Sequence, residues 1–540
     1  MKEIVLQPWR GAAAMALLLF LTAAAFTALN GQVSAKTGRL STVPNYDDVV
    51  YLNKASEIYF LGRKEGAGSA AASFFTQYLH APFAVANALA GFFIFGPNVK
   101  AIYLMLTLVV FAYVALVAWV GRGLPILLRW ALVFLALAFP FATTAAEQFR
   151  PDPLWAIVLG AGSVFFLAAE RPFEGWKPSL LYGLALGLVL VTKPSTFAMS
   201  FLVMGGSWLL AALAAGFSRR AEWGVIFRGL AVTASAALVV AGWYCLPHAS
   251  AIFNYFYENS FGANREVWAY HGAVWNRWLY YFQGVALASN LGGFLFPLVL
   301  ACVAGAIRDI SCGDLFQRIR GGAFLWMLAG LVLVNSAFGM KSPFLGGSLY
   351  GFLIFAGLWQ IARLLRWGYE QEWWKAFPHQ LLAALVLLSI AACGYSYSEV
   401  CVIPPATRKA QKAINRGVLN DLLRETRGRR ASVLITASNP VVGEYLAMEA
   451  RARGRTLDIQ NAAFVRDSAQ ILDQAATMDF VILRDPKTVG SSGDHIPGDA
   501  LQSELIGRIS GSPDWHLVGR YSDLQGQFAY LYRNLRVVRR

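Results

Sequence analysis

Charged side chains are scarce in this chain. Asp, Glu, Lys and Arg make up only 14% of its 540 residues, while hydrophobic residues make up 57%. This balance excludes an ordinary soluble protein, because apolar blocks of about twenty residues that recur along a chain are typical of membrane helices. The net charge of +15 does not indicate a nucleic-acid partner, since the basic residues lie between the apolar blocks. We therefore expect a multi-pass membrane protein that contacts lipids and no nucleic acid.

Cysteine and the common cofactor motifs are also scarce. The five cysteines show no metal-binding spacing; they are Cys245, Cys302, Cys312, Cys393 and Cys401. A disulfide between Cys393 and Cys401 is one alternative, and two free thiols are the other. The polar C-terminal part contains no GxGxxG motif, no phosphate-binding loop and no cluster of cysteine or histidine. We therefore expect no resident cofactor.

Eleven apolar blocks flanked by charges are candidate membrane spans, at roughly 11–30, 99–120, 127–145, 153–169, 178–193, 195–215, 227–247, 285–306, 322–339, 344–362 and 378–397. The first has no clear cleavage site, so we expect it to be retained as a helix. A cytoplasmic N-terminus places most basic residues between the blocks on cytoplasmic loops, as the positive-inside rule requires. The same register leaves the loops 31–98 and 248–284 and the C-terminal tail on the non-cytoplasmic side. We therefore expect residues 1–400 to form a mainly α-helical unit in the membrane.

The two long outer loops carry structural signals of their own. In the first, the apolar residues of Asp48–Leu61 recur with the 3.6-residue period of a helix, and residues 81–96 are apolar but short for a span. We expect these helices to lie in the membrane interface. The second loop is rich in aromatic residues, which form either an anchor at headgroup depth or a wall that contacts a lipid or a sugar.

From Pro404 the composition changes, with less hydrophobicity and more charge. Helical and β-like segments alternate: helix 408–427, strand Ala431–Thr436, helix 441–453, strand Leu457–Ile459, helix 467–476, strand Phe480–Leu483, helix 500–510, and strands near 516–521 and 527–532. This alternation predicts a small α/β domain over residues 404–540, which the charge rule places on the non-cytoplasmic side. Its chemistry cannot be read from the sequence, and we expect a recognition or scaffolding role.

Ionisable residues beside or inside membrane spans are costly, so each marks a candidate functional position. Five polar clusters lie at the outer edge in this topology: Asp47-Asp48, His80-Ala81-Pro82, Glu147 to Asp152 with Arg150, Thr192-Lys193-Pro194, and Lys341 to Phe344. Adjacent carboxylates repel each other unless a cation or a proton shares the site. The acid pair Asp47-Asp48 therefore indicates a polar centre that faces the non-cytoplasmic side.

These residue types suit the transfer of a sugar. A carboxylate can accept a proton from a hydroxyl or amine that attacks a sugar carbon. Lysine and arginine at headgroup depth can hold a phosphate and stabilise charge on a phosphate leaving group. Simpler interpretations stay open, because a lysine at a helix end can extend to the interface, and Arg150 with Asp152 can form a structural ion pair capped by Glu147. Asp47 has the weakest such alternative, since a plain membrane anchor does not require it.

With these residues in place, the chain resembles the C-type (GT-C) glycosyltransferases, in the branch of the protein O-mannosyltransferases and the lipid A 4-amino-arabinose transferases. The matching motifs, in chain order, are Asp47-Asp48-Val-Val-Tyr51; His80-Ala-Pro82-Phe83 with Phe95-Gly96-Pro97-Asn98; Arg150-Pro-Asp152; Val191-Thr192-Lys193-Pro194; and Lys341 in a late outer loop. The second motif departs from the family, which has two prolines where this chain has only Pro82. The order and common side of the motifs make their combination more specific than any one of them.

The resemblance implies a GT-C fold and a reaction. A sugar would move from a polyprenyl-phosphate donor to a lipid, glycan or protein acceptor at the periplasmic face of a bacterial inner membrane, with inversion at the anomeric carbon. The family's catalytic base falls on Asp47, and Asp48 would position the acceptor or hydrogen-bond the sugar. The residues expected to contact the donor phosphate or sugar, or to orient those that do, are Tyr51, His80, Glu147, Arg150, Asp152, Lys193 and Lys341. This branch generally needs no metal; the alternative is a divalent ion shared by Asp47, Asp48 and Glu147.

Three other classes of function fit the sequence less well than a glycosyltransferase. A transporter or flippase of lipid-linked sugars places polar residues near the bilayer midplane and often shows internal repeats, whereas these clusters lie at one edge and no repeat is evident. A polysaccharide polymerase or ligase would carry its large outer loop late in the chain, whereas the acids here lie in the first loop. A receptor or scaffold would depend on the C-terminal tail alone. Transferase activity is therefore the leading hypothesis.

Overall fold

The chain is mostly helical. A computed structural model describes residues 7–44, 46–371, 378–396, 402–437, 440–486, 496–522 and 528–537. Up to residue 396, the helices are α1 (Gln7–Thr37), α2 (Tyr46–Glu65), α3 (Ala67–Thr76), α4 (Pro82–Phe95), α5 (Val99–Ile102), α6 (Thr107–Val120), α7 (Ile126–Leu137), α8 (Pro140–Glu147), α9 (Pro151–Ala168), α10 (Lys177–Thr192), α11 (Phe197–Ser200), α12 (Gly206–Phe217), α13 (Trp223–Cys245), α14 (Ala249–Ser260), α15 (Arg265–Trp268), α16 (Val274–Leu279), α17 (Gly284–Ala288), α18 (Leu295–Cys312), α19 (Leu315–Ala337), α20 (Gly347–Glu370) and α21 (Pro378–Ser396).

Each of the eleven predicted spans contains helix. Within the described part of the chain, eight helices are long and apolar enough to cross a membrane. The helices α7 and α8, bent by 70° relative to each other, make a ninth if they form one broken span. The remaining two predicted spans coincide with α10 and α21, whose apolar parts are shorter than a full crossing. The protein is thus a polytopic membrane protein, whose described residues form eight or nine helices of spanning length and further short apolar ones.

Proline determines where several of these helices begin. It occupies the first turn of α4, α8, α9 and α10, where its missing N–H group costs no hydrogen bond and its fixed φ suits the helix. Pro140 begins α8 immediately after Phe139, at the point where the chain bends away from α7. These starts matter for function, because α4 and α9 begin next to His80 and Arg150 respectively.

Helices α9 and α20 form the most enclosed pair of the membrane part. In the most apolar 18-residue stretch of each helix, 78% of the residues of α9 and 72% of those of α20 are buried within the protein. Their backbones touch at Gly160 and Gly351, since a Cβ atom added to Gly160 would lie 2.3 Å from the carbonyl carbon of Gly351. Only glycine allows so close an approach. The contact fixes the depth of α9, whose first turn carries Asp152.

The loop 31–98 is largely helical, as predicted. The predicted helix Asp48–Leu61 is the core of α2, and the apolar stretch 81–96 contains the 14-residue α4. Leu52, Ala55 and Ile58 of α2 are buried and belong to the same apolar cluster as the core of the membrane helices. The two helices pack on each other through Tyr59 and Phe92, whose ring centroids are 5.6 Å apart. This packing sets the direction of the acid pair at the start of α2.

The C-terminal region, defined here as residues 402–537, contains α22 (Pro405–Thr426), β1 (Ala431–Ile435), α23 (Gly443–Ala452), β2 (Leu457–Asn461), α24 (Ser468–Ala476), β3 (Phe480–Arg484), α25 (Pro497–Ala500), α26 (Gln502–Ser510), β4 (Trp515–Ser522) and β5 (Phe528–Asn534). The strands form one sheet in the order β2-β1-β3-β5-β4, with β1 parallel to β2 and β3 and the other two pairs antiparallel. Separate apolar clusters cover its two faces. Each predicted helix and strand of this region is present, so the predicted α/β arrangement is confirmed.

Cys245, Cys302 and Cys312 are free thiols. The alternative pairing of Cys393 with Cys401 lies outside the described residues.

Candidate active site

Helix α2 begins at the acid pair. Two carboxylates in the first turn of a helix are favoured electrostatically by its positive N-terminal end. Because adjacent helical residues are rotated by about 100° around the axis, the two side chains point in different directions. The Asp48 side chain is completely buried, whereas 57% of the Asp47 side chain is exposed. The pair therefore provides one internal and one accessible carboxylate.

Asp48 is held from three sides. Arg39 Nε donates to its Oδ2 atom at 3.1 Å, and the Tyr103 hydroxyl donates to the same atom at 3.0 Å. Arg150 Nε lies 3.5 Å from the other oxygen, Oδ1. A buried carboxylate with two guanidinium groups and a phenol around it is compensated in charge. Asp48 thus ties the start of α2 to the turn after α1 and to the start of α9.

Arg150 connects the two acids. It precedes Pro151 at the start of α9, and its Nη1 atom lies 3.9 Å from Asp47 Oδ2. The side chain is 3% exposed, and its Cζ atom lies 3.8 Å from the ring centroid of Phe344, in a cation–π contact. Arg150 is therefore fixed in orientation, with one edge of the guanidinium at the accessible carboxylate.

Protein groups surround Asp47, the accessible acid of the pair, on several sides. Although much of its surface is accessible, partial desolvation by the surrounding protein raises the pKa of the Asp47 carboxyl group. Arg150 and Lys193 oppose this rise, while Asp152 and Asp48 add to it. A carboxylate of raised pKa is a stronger proton acceptor than a free one, which suits a general base.

Lys193 forms a buried ion pair at the same site. Its Nζ atom lies 2.5 Å from Asp152 Oδ1, and both side chains are at most 10% exposed. Lys193 ends α10 because Pro194 follows it, and Asp152 lies in the first turn of α9. The ammonium group also lies 5.7 Å from the Trp155 ring, which Ser200 fixes by accepting a 3.0 Å hydrogen bond from Nε1.

Three aromatic side chains lie together near Asp47. The His80 ring is stacked on Tyr51, with 6° between the planes and 6.3 Å between centroids, and its centroid is 4.4 Å from that of Tyr255. Burial lowers the pKa of His80 to about 4, and the positive charge of Lys193 adds to this effect. His80 is therefore neutral at physiological pH, so it can exchange hydrogen bonds but supplies no cation.

Glu147 is a buried carboxylate at the end of α8. Its side chain belongs to a residue that is only 3% exposed, and it lies close enough to Arg39 to interact with it electrostatically. Together with Asp48, it balances the charge of the Arg39 guanidinium group. The orienting role of Glu147 stays a prediction.

Lys341 lies in the loop between α19 and α20. Its ammonium group donates hydrogen bonds to the backbone carbonyls of Asn335 and Ser336 at the end of α19, where a cation is favoured. It also lies 5.1 Å from the centroid of the Tyr281 ring. Burial lowers the pKa of Lys341 to about 8, with a further lowering by Arg277. The same loop reaches the acid pair through Phe344, which contacts Arg150.

Seven of the nine predicted site residues thus belong to one network of contacts and charges around the acid pair: Asp47, Asp48, Tyr51, His80, Arg150, Asp152 and Lys193. Glu147 joins it through Arg39, and Lys341 lies in a neighbouring loop. In the described part of the chain, no three His, Cys, Asp or Glu side chains are grouped as metal ligands would be.

The sequence did not single out several residues that complete the network. Arg39 and Tyr103 hold Asp48, Trp155 and Phe344 contact the two cations, and Tyr255 borders His80. Arg39 resembles any basic residue at the edge of a membrane helix, and the aromatic residues lie in stretches rich in such side chains. The unbalanced charge of the acid pair, which required nearby cations or protons, was the signal for the residues around Asp48. The abundance of aromatic residues in the loop 248–284 was the signal for Tyr255.

Comparison with known proteins gives a fold. No protein-family model and no curated protein matches the chain. The crystal structure of ArnT from Cupriavidus metallidurans in the apo state is 13% identical, with a TM-score of 0.56 over 96% of this chain and 98% of ArnT. ArnT from the same organism bound to undecaprenyl phosphate is 12% identical, with a TM-score of 0.53 over 98% of both chains. The protein therefore has the GT-C glycosyltransferase fold of ArnT along nearly its whole length.

Proposed function

We propose that the protein is a membrane glycosyltransferase that moves a sugar from a polyprenyl-phosphate donor to an acceptor at the periplasmic face of a bacterial inner membrane. The observation that carries this proposal is the division of the acid pair. One carboxylate is buried between two arginines, and the other is accessible, raised in pKa and next to Arg150 and Lys193. An accessible base beside buried cations suits a reaction in which a nucleophile loses a proton while a phosphate leaves.

Asp47 is the catalytic base in this mechanism. It accepts the proton of an acceptor hydroxyl or amine while that oxygen or nitrogen attacks the anomeric carbon of the sugar. The bond between the anomeric carbon and the phosphate oxygen breaks, and the electron pair leaves with the polyprenyl phosphate. Attack opposite to the leaving group inverts the anomeric carbon. Asp48 positions Asp47 from behind, because it is buried and bound by Arg39 and Arg150.

The cations bind the donor phosphate. Arg150 and Lys193 lie at the acid pair, and each already has a carboxylate partner that orients it, so their charge is available at a fixed position. Lys341 contributes a third cation from its loop. The fold supports a lipid-linked donor, since ArnT of the same fold has been crystallised with undecaprenyl phosphate.

The uncharged residues bind the sugar. Tyr51, His80 and Tyr255 form an aromatic border whose faces suit the apolar side of a pyranose, and neutral His80 can donate or accept one hydrogen bond. Glu147 and Asp152 orient Arg39 and Lys193 and do not touch the substrate. The positive charge in this mechanism comes from the side chains of Arg150, Lys193 and Lys341.

Donor turnover by purified protein tests the proposal. Wild type and Asp47→Asn are incubated with a panel of polyprenyl-phosphate sugars and a membrane-lipid extract, and the release of free polyprenyl phosphate is followed. We expect release by wild type with at least one donor and a loss of at least about a hundredfold in Asp47→Asn, the usual contribution of a general base. Glu65→Gln, an exposed acid at the other end of α2, is the matched control and keeps full activity. Undiminished release by well-inserted Asp47→Asn would refute the mechanism.

A further inference from the structure

The C-terminal region contacts α2 on the side opposite to the proposed base. Helix α23 turns Tyr445, Met448 and Arg451 toward α2, residues three apart that share one helical face. Met448 is 2% exposed and belongs to the apolar cluster of the membrane part, and Tyr445 packs against both that cluster and the core of the sheet. The two parts of the protein therefore share a packed interface at α2.

Arg451 makes the polar contacts of this interface. Its Nη2 atom donates to Asn53 Oδ1 at 2.7 Å, and its Nη1 atom donates to Ser56 Oγ at 2.9 Å and to the Asn53 carbonyl at 3.3 Å. Ser56 is completely buried. The guanidinium group thus hydrogen-bonds both the backbone and the side chains of one turn of α2. Its planar group holds several N–H donors in fixed directions, which the single ammonium group of lysine cannot do.

The geometry of α2 connects this contact to the active site. Asp47 and Ser56 are nine residues apart, which at about 100° per residue places them on opposite faces of the helix. The same interval spans roughly 13 Å along the axis at 1.5 Å per residue. A rotation or shift of α2 by the interface would therefore move the Asp47 carboxylate against Arg150, whose nearest atom is already 3.9 Å away.

We infer that Arg451 is a positioning residue for the transfer reaction. It binds the face of α2 opposite to Asp47 and so fixes the orientation of the Asp47 carboxylate relative to the donor and acceptor. The C-terminal region, whose role the sequence left open, is then a clamp on the catalytic helix. This inference rests on the proposed role of Asp47. Its magnitude follows from the sensitivity of catalysis to position, since misplacements of about 1 Å commonly cost a hundredfold in rate.

Substitution of Arg451 tests the clamp against a matched neighbour. Arg453 lies at the end of the same helix but bonds only within the C-terminal region, to Asn420 and Glu449. We expect Arg451→Ala to lower kcat at least about tenfold with little change in KM for the donor, because the donor cations are not displaced. Arg453→Ala keeps the wild-type kcat. Arg451→Lys, which retains the charge without the planar group, recovers part of the loss.

The pH profile separates positioning from loss of structure. Arg150 lowers the pKa of Asp47, so an Asp47 that turns away from Arg150 loses that effect, and its pKa rises further. The acidic limb of the kcat profile should therefore move to higher pH in Arg451→Ala and stay in place in Arg453→Ala. Asn53→Ala removes only the bond at Oδ1, so it should move the limb in the same direction but less. The double variant should move it no further than Arg451→Ala alone.

Each outcome decides the inference. Hydrogen exchange of the α2 amides provides a readout that needs no activity, and it should be faster in Arg451→Ala but not in Arg453→Ala. Wild-type kcat and pH profile in Arg451→Ala overturn the clamp, and if Asp47→Asn is inactive in the same assay the proposed function still stands. Equal losses in Arg451→Ala and Arg453→Ala also overturn it. If the wild type transfers no sugar, the proposed function is refuted. In that case, hydrogen exchange of the α2 amides that is the same in Arg451→Ala as in wild type would also refute the role of Arg451 in holding α2.

Discussion

The two acids of the pair should respond in opposite ways to the same substitution. Asp48→Asn keeps the shape of the side chain but removes the charge that Arg39 and Arg150 share. Loss of one member of a buried ion pair costs about 3–5 kcal/mol, because the remaining charges stay desolvated. Asparagine still accepts one hydrogen bond, so we expect the lower end, about 3 kcal/mol of unfolding free energy. Asp47→Asn, with 57% of its side chain exposed, should cost less than about 1 kcal/mol.

Chemical denaturation in mild detergent measures this difference, with donor turnover assayed on the same samples. We expect Asp48→Asn to be unstable and to lose activity as a consequence, and Asp47→Asn to be stable and inactive. Tyr103→Phe removes only the 3.0 Å hydrogen bond to Asp48 and should lose about 1.5–3 kcal/mol, as for a bond to a charged group. Equal stability of Asp48→Asn and wild type would contradict the assignment of Asp48 as the internal anchor.

Two further substitutions probe other parts of the structure. Lys341, with a pKa of about 8, is protonated below that pH and loses its charge as the pH rises through it. The KM of the wild type for the donor should therefore rise about tenfold between pH 7 and pH 9. It should stay constant in Lys341→Arg, because arginine remains charged over this range. Gly160→Leu should sharply lower the yield of folded protein by forcing α9 away from α20, at a cost above the usual overpacking range of about 1–3 kcal/mol because the obstacle is backbone. Gly205→Leu, where a Cβ atom meets nothing within 4 Å, should be tolerated.

Local signals were sufficient for the secondary structure. The C-terminal helices and strands appear within a few residues of their predicted bounds. This agreement arises because the spacing of apolar residues, every 3.6 residues in a helix and every second residue in a strand, is a local property. The glycine and proline residues that end these elements are local signals too. The helix over Asp48–Leu61 was predicted for the same reason. The sequence could not decide which apolar helices reach across a membrane, since the bend between α7 and α8 depends on how they pack.

The partners within the site depend on contacts between distant residues. The spacing of Arg150 and Asp152 suggested that they pair with each other, yet Asp152 pairs with Lys193, 41 residues away, and Arg150 reaches the acid pair. Tyr103 reaches Asp48 over 55 residues. The expectation that the acid pair needs cations was a general consequence of charge, whereas the identity of those cations required the fold. The division into a buried and an accessible acid follows from the rotation of α2, which packing against α4 determines.

The contact between Ser56 and Arg451 also has a consequence for how the protein is made. These residues are 395 positions apart in the chain. At about 5–20 residues per second, a ribosome needs roughly 20–80 s to synthesise the segment between them. Throughout that interval α2 lacks its contact with α23. On the proposed roles of Asp47 and Arg451, the active site is therefore completed late in synthesis, and a chain truncated before α23 would carry the acid pair without the contact that positions it.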